Sequence, residues 1–173
     1  ASAGDVNGDG YSDVIVGVYL YDNGQTNEGA AFVYHGSAAG INTTVAAIVE
    51  SNQAGAQMGV SVASAGDVNG DGYSDVIVGA NQYDNGQSAE GAAFVYHGSA
   101  AGINTAAAAT VESNQAGAQM GVSVASAGDV NGDGYSDVIV GARKCNEGGS
   151  GEGGGVVYHG PATGINTTSA ATV

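Results

Sequence analysis

An all-β fold, built from repeated units of four short antiparallel strands, is what this sequence predicts on three observations. The segment D-V-N-G-D-G-Y-S-D occurs three times unchanged, at Asp5–Asp13, Asp67–Asp75 and Asp129–Asp137, each copy 62 residues after the last. A period of that size marks a chain of repeated supersecondary units. Each copy runs into a β-branched stretch closed by glycine, Val14-Ile15-Val16-Gly17 in the first unit, which reads as a strand. The 32 glycines and numerous alanines suit close strand packing and tight turns. They follow no Gly-X-Y period, so a collagen-like chain is excluded.

Taken from Gly59, one unit gives its elements in order. Val60 and Val62 alternate with Ser61 and Ala63, the pattern of a half-buried first strand. After the repeated segment, Val76-Ile77-Val78 is a short, fully buried strand. Beyond the polar stretch Tyr83–Gln87, residues Ala92–His97 set Ala93 and Val95 on one side and Phe94 and Tyr96 on the other. Gly98–Gly102 is a turn, and a last strand covers roughly Ala108–Glu112 before the linker Asn114–Gly117. Ala106–Ala109 has helical propensity but is too short, and its glycine flanks favour strand or turn. Four short antiparallel strands per repeat make a propeller blade. The repeats run over approximately 1–58, 59–120 and 121–173.

The repeated segment also carries chemistry. Oxygen-bearing side chains stand at alternate positions, Asp5, Asn7 and Asp9, then Asp13, with Gly8 and Gly10 leaving room for a tight turn. A hard cation that takes six to eight oxygens wants this pattern, and calcium is the first reading. An EF-hand loop requires a bidentate Glu at its twelfth position and a following helix. Here the twelfth position is Val16, inside a strand. Dockerin-type loops fail for the same reason, and no nine-residue repeat of the toxin type occurs.

The loop D-x-N-x-D-G-x-x-D running into V-I-V-G, preceded by M-G-V-S-V and followed by G-A-A-F-V-Y-H-G, resembles the FG-GAP repeat. That is the blade unit of the integrin α-subunit β-propeller and of many bacterial surface proteins, and the resemblance covers essentially the whole chain. The name-giving Phe-Gly stands here as Met58-Gly59 and Met120-Gly121; Gly-Ala-Pro stands as Gly17-Val18-Tyr19, Gly79-Ala80-Asn81 and Gly141-Ala142-Arg143. The resemblance implies one Ca²⁺ per repeat. Its ligands would be Asp5, Asn7, Asp9 and Asp13 with the backbone carbonyl of Tyr11, then Asp67, Asn69, Asp71, Tyr73 and Asp75, then Asp129, Asn131, Asp133, Tyr135 and Asp137. It also implies an extracellular or cell-surface protein that contacts a protein or glycan through loops on one face, here 18–28, 80–90 and 142–152.

Composition bounds the partners. Two Lys and Arg stand against 17 Asp and Glu, for a formal charge of −15, and nine of the acids sit in the three loops. Packing three carboxylates into one metal-free loop costs stability through like-charge repulsion. Nucleic acid is excluded, because binding it needs Lys and Arg to displace counterions. Direct membrane insertion is not expected, for no run of 18 apolar residues occurs. Cys145, the single cysteine, lies where the third repeat diverges, Arg143–Glu147. It reads as a solvent-facing loop thiol, with an intermolecular disulfide as the alternative.

Weaker candidates recur in step with the repeat. His35, His97 and His159 close the third strand of each unit, and strand-end packing is preferred to a three-histidine metal site. Glu28, Glu90 and Glu152 precede the same strand and read as solvated loop carboxylates. Asn42-Thr43-Thr44 and Asn166-Thr167-Thr168 form glycosylation sequons, but the middle unit has Asn104-Thr105-Ala106, so a turn role is preferred. No G-x-S-x-G, H-E-x-x-H or phosphate-cradling loop occurs, and no enzyme is expected.

Three full periods would need more than the 173 residues present, and the shortfall matches the segment Glu50–Val62. Three blades cannot close a ring of roughly four to eight, and open blade edges are pairing hazards. The expectation is a ring of about six or seven blades, completed by a parent chain or by another copy. Three function classes follow: a calcium-stabilised adhesion or ligand-binding module, a spacer or filament or shell subunit joined through blade edges, and an accessory propeller of a larger hydrolase.

Overall fold

The computed structural model of the chain describes residues 1–146 and 151–173. Its twelve strands form three antiparallel sheets in which consecutive strands are neighbours. The first sheet holds β1 (Ser2–Gly4), β2 (Asp13–Val18), β3 (Ala30–Tyr34) and β4 (Ala47–Glu50). The second holds β5 (Met58–Gly66), β6 (Asp75–Ala80), β7 (Ala92–Tyr96) and β8 (Ala109–Glu112). The third holds β9 (Met120–Gly128), β10 (Asp137–Ala142), β11 (Gly154–Tyr158) and β12 (Ala171–Thr172). Each sheet is one blade, and the described residues include no helix. The all-β, three-blade expectation is therefore the architecture found.

Pairing register repeats with the sequence. Ile15 opposes Val33 and Val16 opposes Phe32 in the first blade; Ile77 opposes Val95 and Val78 opposes Phe94 in the second. Side chains alternate across each sheet, so the two members of a pair share a face. One face of the first blade, with Ile15, Ala31, Val33 and Val49, is buried with Val76, Val78, Phe94 and Tyr96 of the second. The step repeats: Ile77, Ala93, Val95 and Val111 of the second blade are buried with Val138, Val140, Val156 and Tyr158 of the third. The middle blade is thus covered on both faces, and β6 and β7 are buried along their whole length. Each fully buried Val or Phe at such a junction stabilises the fold by about 1.5–3 kcal/mol relative to leaving it exposed.

Backbones touch where blades meet. A Cβ added to Gly17 would lie 2.0 Å from the Gly59 carbonyl oxygen, and one added to Gly79 would lie 1.9 Å from that of Gly121. Just before these glycines, the Met58 N–H donates to the Glu28 carbonyl at 2.9 Å and the Met120 N–H to that of Glu90 at 2.9 Å. The Met-Gly pair opening each unit therefore locks onto the preceding blade, and glycine is needed on both sides of the contact.

The expectation for Cys145 is corrected. Cys145 is 4 % exposed and packs in the core beside Ala142, Val156 and Tyr158. One repeat back its position holds Tyr83, whose ring meets Phe94 edge-on at 5.2 Å; two repeats back, Tyr21 meets Phe32 in the same way. In the third blade Val156 replaces that phenylalanine. Cysteine and valine together take the place of an aromatic pair, which carries the thiol inward.

Gly79→Ala is expected to destabilise the fold by about 3 kcal/mol or more, since a rigid carbonyl must move. Gly117→Ala is the control. Its Cβ meets nothing within 4 Å and its φ is +73°, so only the left-handed backbone cost of about 1–2 kcal/mol applies. Urea titration separates the two, and equal midpoints would contradict the backbone contact.

Candidate metal centre

Each repeated segment forms the loop between the first two strands of its blade, and its side chains organise its backbone. Asp5 Oδ1 accepts the N–H groups of Gly8 (2.7 Å) and Asp9 (3.1 Å), while Oδ2 accepts that of Gly10 (2.8 Å). Asn7 Oδ1 accepts the Asp9 N–H at 3.1 Å, and Asp9 Oδ1 accepts the Tyr11 N–H at 2.9 Å. Asn7 Nδ2 donates to Asp9 Oδ2 at 3.1 Å. Both glycines take left-handed backbone, φ 73° at Gly8 and 88° at Gly10, which wraps the chain around the Asp5 carboxylate. The same bonds recur around Asp67 and Asp129. The structure thus brings the first, third and fifth positions of each predicted ligand set together on an exposed turn.

The ninth position behaves differently. Asp13 is buried, with Oδ2 accepting the Val6 N–H and Oδ1 the Gly36 N–H, both at 2.8 Å. Asp75 does the same with Val68 and Gly98, and Asp137 with Val130 and Gly160. This residue sits at the base of the loop, beside the first ligand position through Val6, and pins the loop to the end of the third strand. Among the described residues no three His, Cys, Asp or Glu side chains close into a compact metal cluster by themselves. Each predicted set also counts an Asn side chain and a main-chain carbonyl.

Electrostatics follow from this placement. Burial pushes the Asp75 carboxyl up to about 6, against the Gly98 and Val68 N–H groups and His97, which pull it down, while Asp71 adds to the rise. The exposed Asp129 carboxyl is held below its ordinary value, chiefly by the Gly134 N–H. Each nine-residue loop holds three carboxylates and no Lys or Arg. Asp5 Oδ1 accepts two N–H groups, but Oδ2 accepts one and keeps a further lone pair, and the set of carboxylate, amide and carbonyl oxygens is of the type a hard cation takes.

Consecutive loops are joined, a feature the sequence did not reveal. The Ser74 N–H donates to the Asp5 carbonyl and the Ser136 N–H to the Asp67 carbonyl, both at 2.9 Å. The Tyr73 ring lies where a Cβ on Gly8 would be, 2.7 Å away, and Tyr135 lies against Gly70 at 2.5 Å. The tyrosines at the seventh position therefore turn their rings onto the preceding loop. The only sequence signal for this was the invariance of Gly8 and Tyr11 across the three copies.

Other candidates resolve as follows. Glu28 and Glu90 are fully buried, which corrects the reading as solvated carboxylates. Glu28 Oε1 accepts the Asn23 N–H at 2.6 Å and the Gln25 N–H at 3.4 Å, so the polar stretch wraps around it, and Glu90 does the same for Asn85 and Gln87. Glu152 is exposed. His35 packs at the turn of the next blade, against Gly102, and His97 against Gly164, so the histidines sit at strand ends in successive blades. In the proposed contact loops, Tyr21 and Tyr83 are engaged with Phe32 and Phe94. Tyr19 and Leu20 are exposed, and Leu20 was not singled out from sequence. Residues 147–150 of the third loop, with Glu147, lie outside the described residues. Asn42, Asn104 and Asn166 each accept the N–H two residues on, which gives these asparagines a turn role. Among the described residues no helix is long and apolar enough to cross a membrane.

Glu90→Ala leaves two part-buried N–H groups without their acceptor and is expected to cost about 1–3 kcal/mol. Glu90→Gln, which keeps an acceptor oxygen, should cost less than half as much. Chemical denaturation checks both, and equal losses would show that packing and not hydrogen bonding fixes the turn.

The FG-GAP repeat model matches residues 1–34, 58–96 and 120–159, one match per blade. Among curated proteins, the chain is 37 % identical over 157 residues to integrin alpha pat-2 of Caenorhabditis briggsae, covering 81 % of this chain and 13 % of that protein. It is 33 % identical over 140 residues to integrin alpha-7 of Rattus norvegicus, covering 80 % and 12 %. It is 35 % identical over 143 residues to integrin alpha-6 of Gallus gallus, covering 80 % and 12 %. The chain thus spans little more than a tenth of the length of these relatives. Three family matches, one on each of three blades that carry the same loop, show that the chain belongs to the FG-GAP repeat family.

Proposed function

We propose that the chain is a non-catalytic, calcium-binding blade array of an extracellular or cell-surface protein, serving adhesion or the binding of a protein or glycan ligand. The observation that carries this reading is the threefold recurrence of one loop. In each copy Asp, Asn and Asp stand on a single exposed turn, with a buried Asp at its base. Three carboxylates in a loop without Lys or Arg repel one another, and one Ca²⁺ per loop relieves this. The ligands are the side chains of Asp5, Asn7, Asp9 and Asp13 and their equivalents, completed by the Tyr11, Tyr73 and Tyr135 carbonyls. Similarity to integrin alpha chains supports the adhesion class and the cell-surface location. The contact region is the 18–28 loop with its equivalents, where Tyr19 and Leu20 are exposed. On the same reading, the apolar outer faces of the first and third blades receive further blade material.

A metal that binds only the folded state adds about 2.7 kcal/mol per site at a hundredfold excess over Kd, so chelation is expected to lower the melting temperature markedly. Two variants of the middle loop separate its parts. Asp71→Ala removes an exposed ligand together with the acceptor of the Tyr73 N–H, and should abolish one site in calorimetric titration while lowering the chelated melting temperature less than Asp75→Ala does. Asp75→Ala also strands the Val68 and Gly98 N–H groups, and should lower stability by about 2–5 kcal/mol even in chelator. Identical melting of the parent protein in calcium and in chelator would refute the calcium reading.

A further inference from the structure

One peptide group stands between each pair of consecutive loops. Tyr73 holds the seventh position of the second loop, and the next residue, Ser74, donates its N–H to the Asp5 carbonyl of the first loop at 2.9 Å. Among the described residues no peptide bond is cis. The Tyr73 C=O and the Ser74 N–H therefore leave one rigid plane in opposite directions. Tyr135 and Ser136 repeat the arrangement, with the Ser136 N–H on the Asp67 carbonyl at 2.9 Å. A further bond supports the first of these junctions: the Ser99 N–H donates to the Val6 carbonyl at 3.0 Å. In the third blade that serine is Pro161, which has no N–H to give.

We propose that calcium binding is positively coupled from one blade to the next, with Tyr73 and Ser74 acting as positioning residues for the first loop and Tyr135 and Ser136 for the second. The proposal rests on the reading that each loop takes one Ca²⁺ and counts its seventh-position carbonyl as a ligand. A cation held by the Tyr73 carbonyl fixes the peptide plane and aims the Ser74 N–H at Asp5. Asp5 is both the first ligand of its own loop and the carboxylate that gathers the Gly8 and Asp9 N–H groups. Polarisation acts in the same direction, because drawing charge from a C=O makes the N–H of that peptide a stronger donor. The Tyr73 ring on Gly8 adds a packing contact between the same two loops. A loop ordered by its neighbour has less freedom to lose when its own cation arrives.

Charge acts in the opposite sense, since a loaded loop attracts a second cation less than an empty one does. That effect is long-range and is damped by salt, with a screening length of about 8 Å at physiological ionic strength. The hydrogen bond and the ring contact are not. Coupling is therefore read at about 0.15 M salt, and it is stronger between the first and second loops, which share two main-chain bonds, than between the second and third, which lack the one that Pro161 cannot make.

The test is a calcium titration of the chelated full chain followed by two-dimensional amide NMR at Gly10, Gly72 and Gly134, one glycine in each loop, with circular dichroism to confirm that the variants fold. The parent curves are expected to be steeper than single-site curves. Asp71→Ala, which disables the second loop, should weaken binding at the first loop at least about fivefold, the lower end of ordinary coupling between sites. Asp9→Ala, which disables the first, should weaken the second by the same factor, as reciprocity requires. Asp133→Ala should weaken the second loop less than Asp9→Ala does. Single-site curves in the parent, or neighbouring loops that titrate unchanged in the variants, would overturn the coupling while leaving calcium binding intact. Unequal losses in Asp71→Ala and Asp9→Ala would trace to local distortion and overturn it as well. Should a variant fail to fold, the shape of the parent curves decides. A parent chain whose three glycines ignore calcium removes the calcium reading itself.

Discussion

Placing a carboxylate out of water at the foot of each loop is the constraint on which the rest of the blade is built. An unpaired buried charge costs several kcal/mol, so Asp13, Asp75 and Asp137 must be met by donors on both oxygens. One donor comes from the second residue of the repeated segment and the other from the residue two beyond the third strand. That single side chain therefore fixes the entry to the loop, the start of the second strand and the end of the third. The exposed part of the loop can then be shaped by short-range bonds alone, with Asp5 gathering the N–H groups of a turn that two left-handed glycines make possible. At the opposite turn, buried Glu28 and Glu90 each gather two N–H groups through Oε1, while Oε2 has no hydrogen-bond partner. Acidic side chains here replace the ladder bonds that a loop lacks.

Packing between blades follows a second rule, that a fixed separation must be filled by whichever side chains the repeat supplies. Tyr21 on Phe32 and Tyr83 on Phe94 fill the same corner in two blades. The third blade keeps the backbone course with Cys145 and Val156. An open cavity of about 230 Å³ lies beside this pair, lined by Cys145, Val156 and Tyr158 together with polar residues such as Glu112 and Thr172. Burial around Tyr158 pushes its phenol up to about 12, and Cys145 adds to the rise.

The sequence made the repeat, the strand order and the place of each loop legible, because these rest on local pattern: three identical nine-residue segments and the β-branched runs after them. What it hid depends on partners that a one-dimensional reading cannot pair. Glu28 looked solvated because its partners are main-chain N–H groups, which carry no letter of their own. Cys145 looked exposed because its burial depends on the valine at 156, eleven positions on. Val16 and Val78 occupy the same place in the repeat and yet differ in exposure, since exposure is set by the neighbouring blade. The link from Ser74 to Asp5 was invisible for the same reason, although the candidate ligands themselves could be named by spacing.

The near-identity of the blades has an evolutionary consequence. A unit inserted between two others brings one face of each kind, and both are consumed by its new neighbours. Gain or loss of a whole repeat therefore creates no unmatched internal surface and needs no compensating substitution. Unequal recombination between copies of the D-V-N-G-D-G-Y-S-D segment meets little resistance from the fold, whereas a change confined to one side of a junction, such as a side chain at Gly79, is penalised at once. Identical repeats are compatible with such a chain because each junction constrains the contact surface between neighbours and not the number of units.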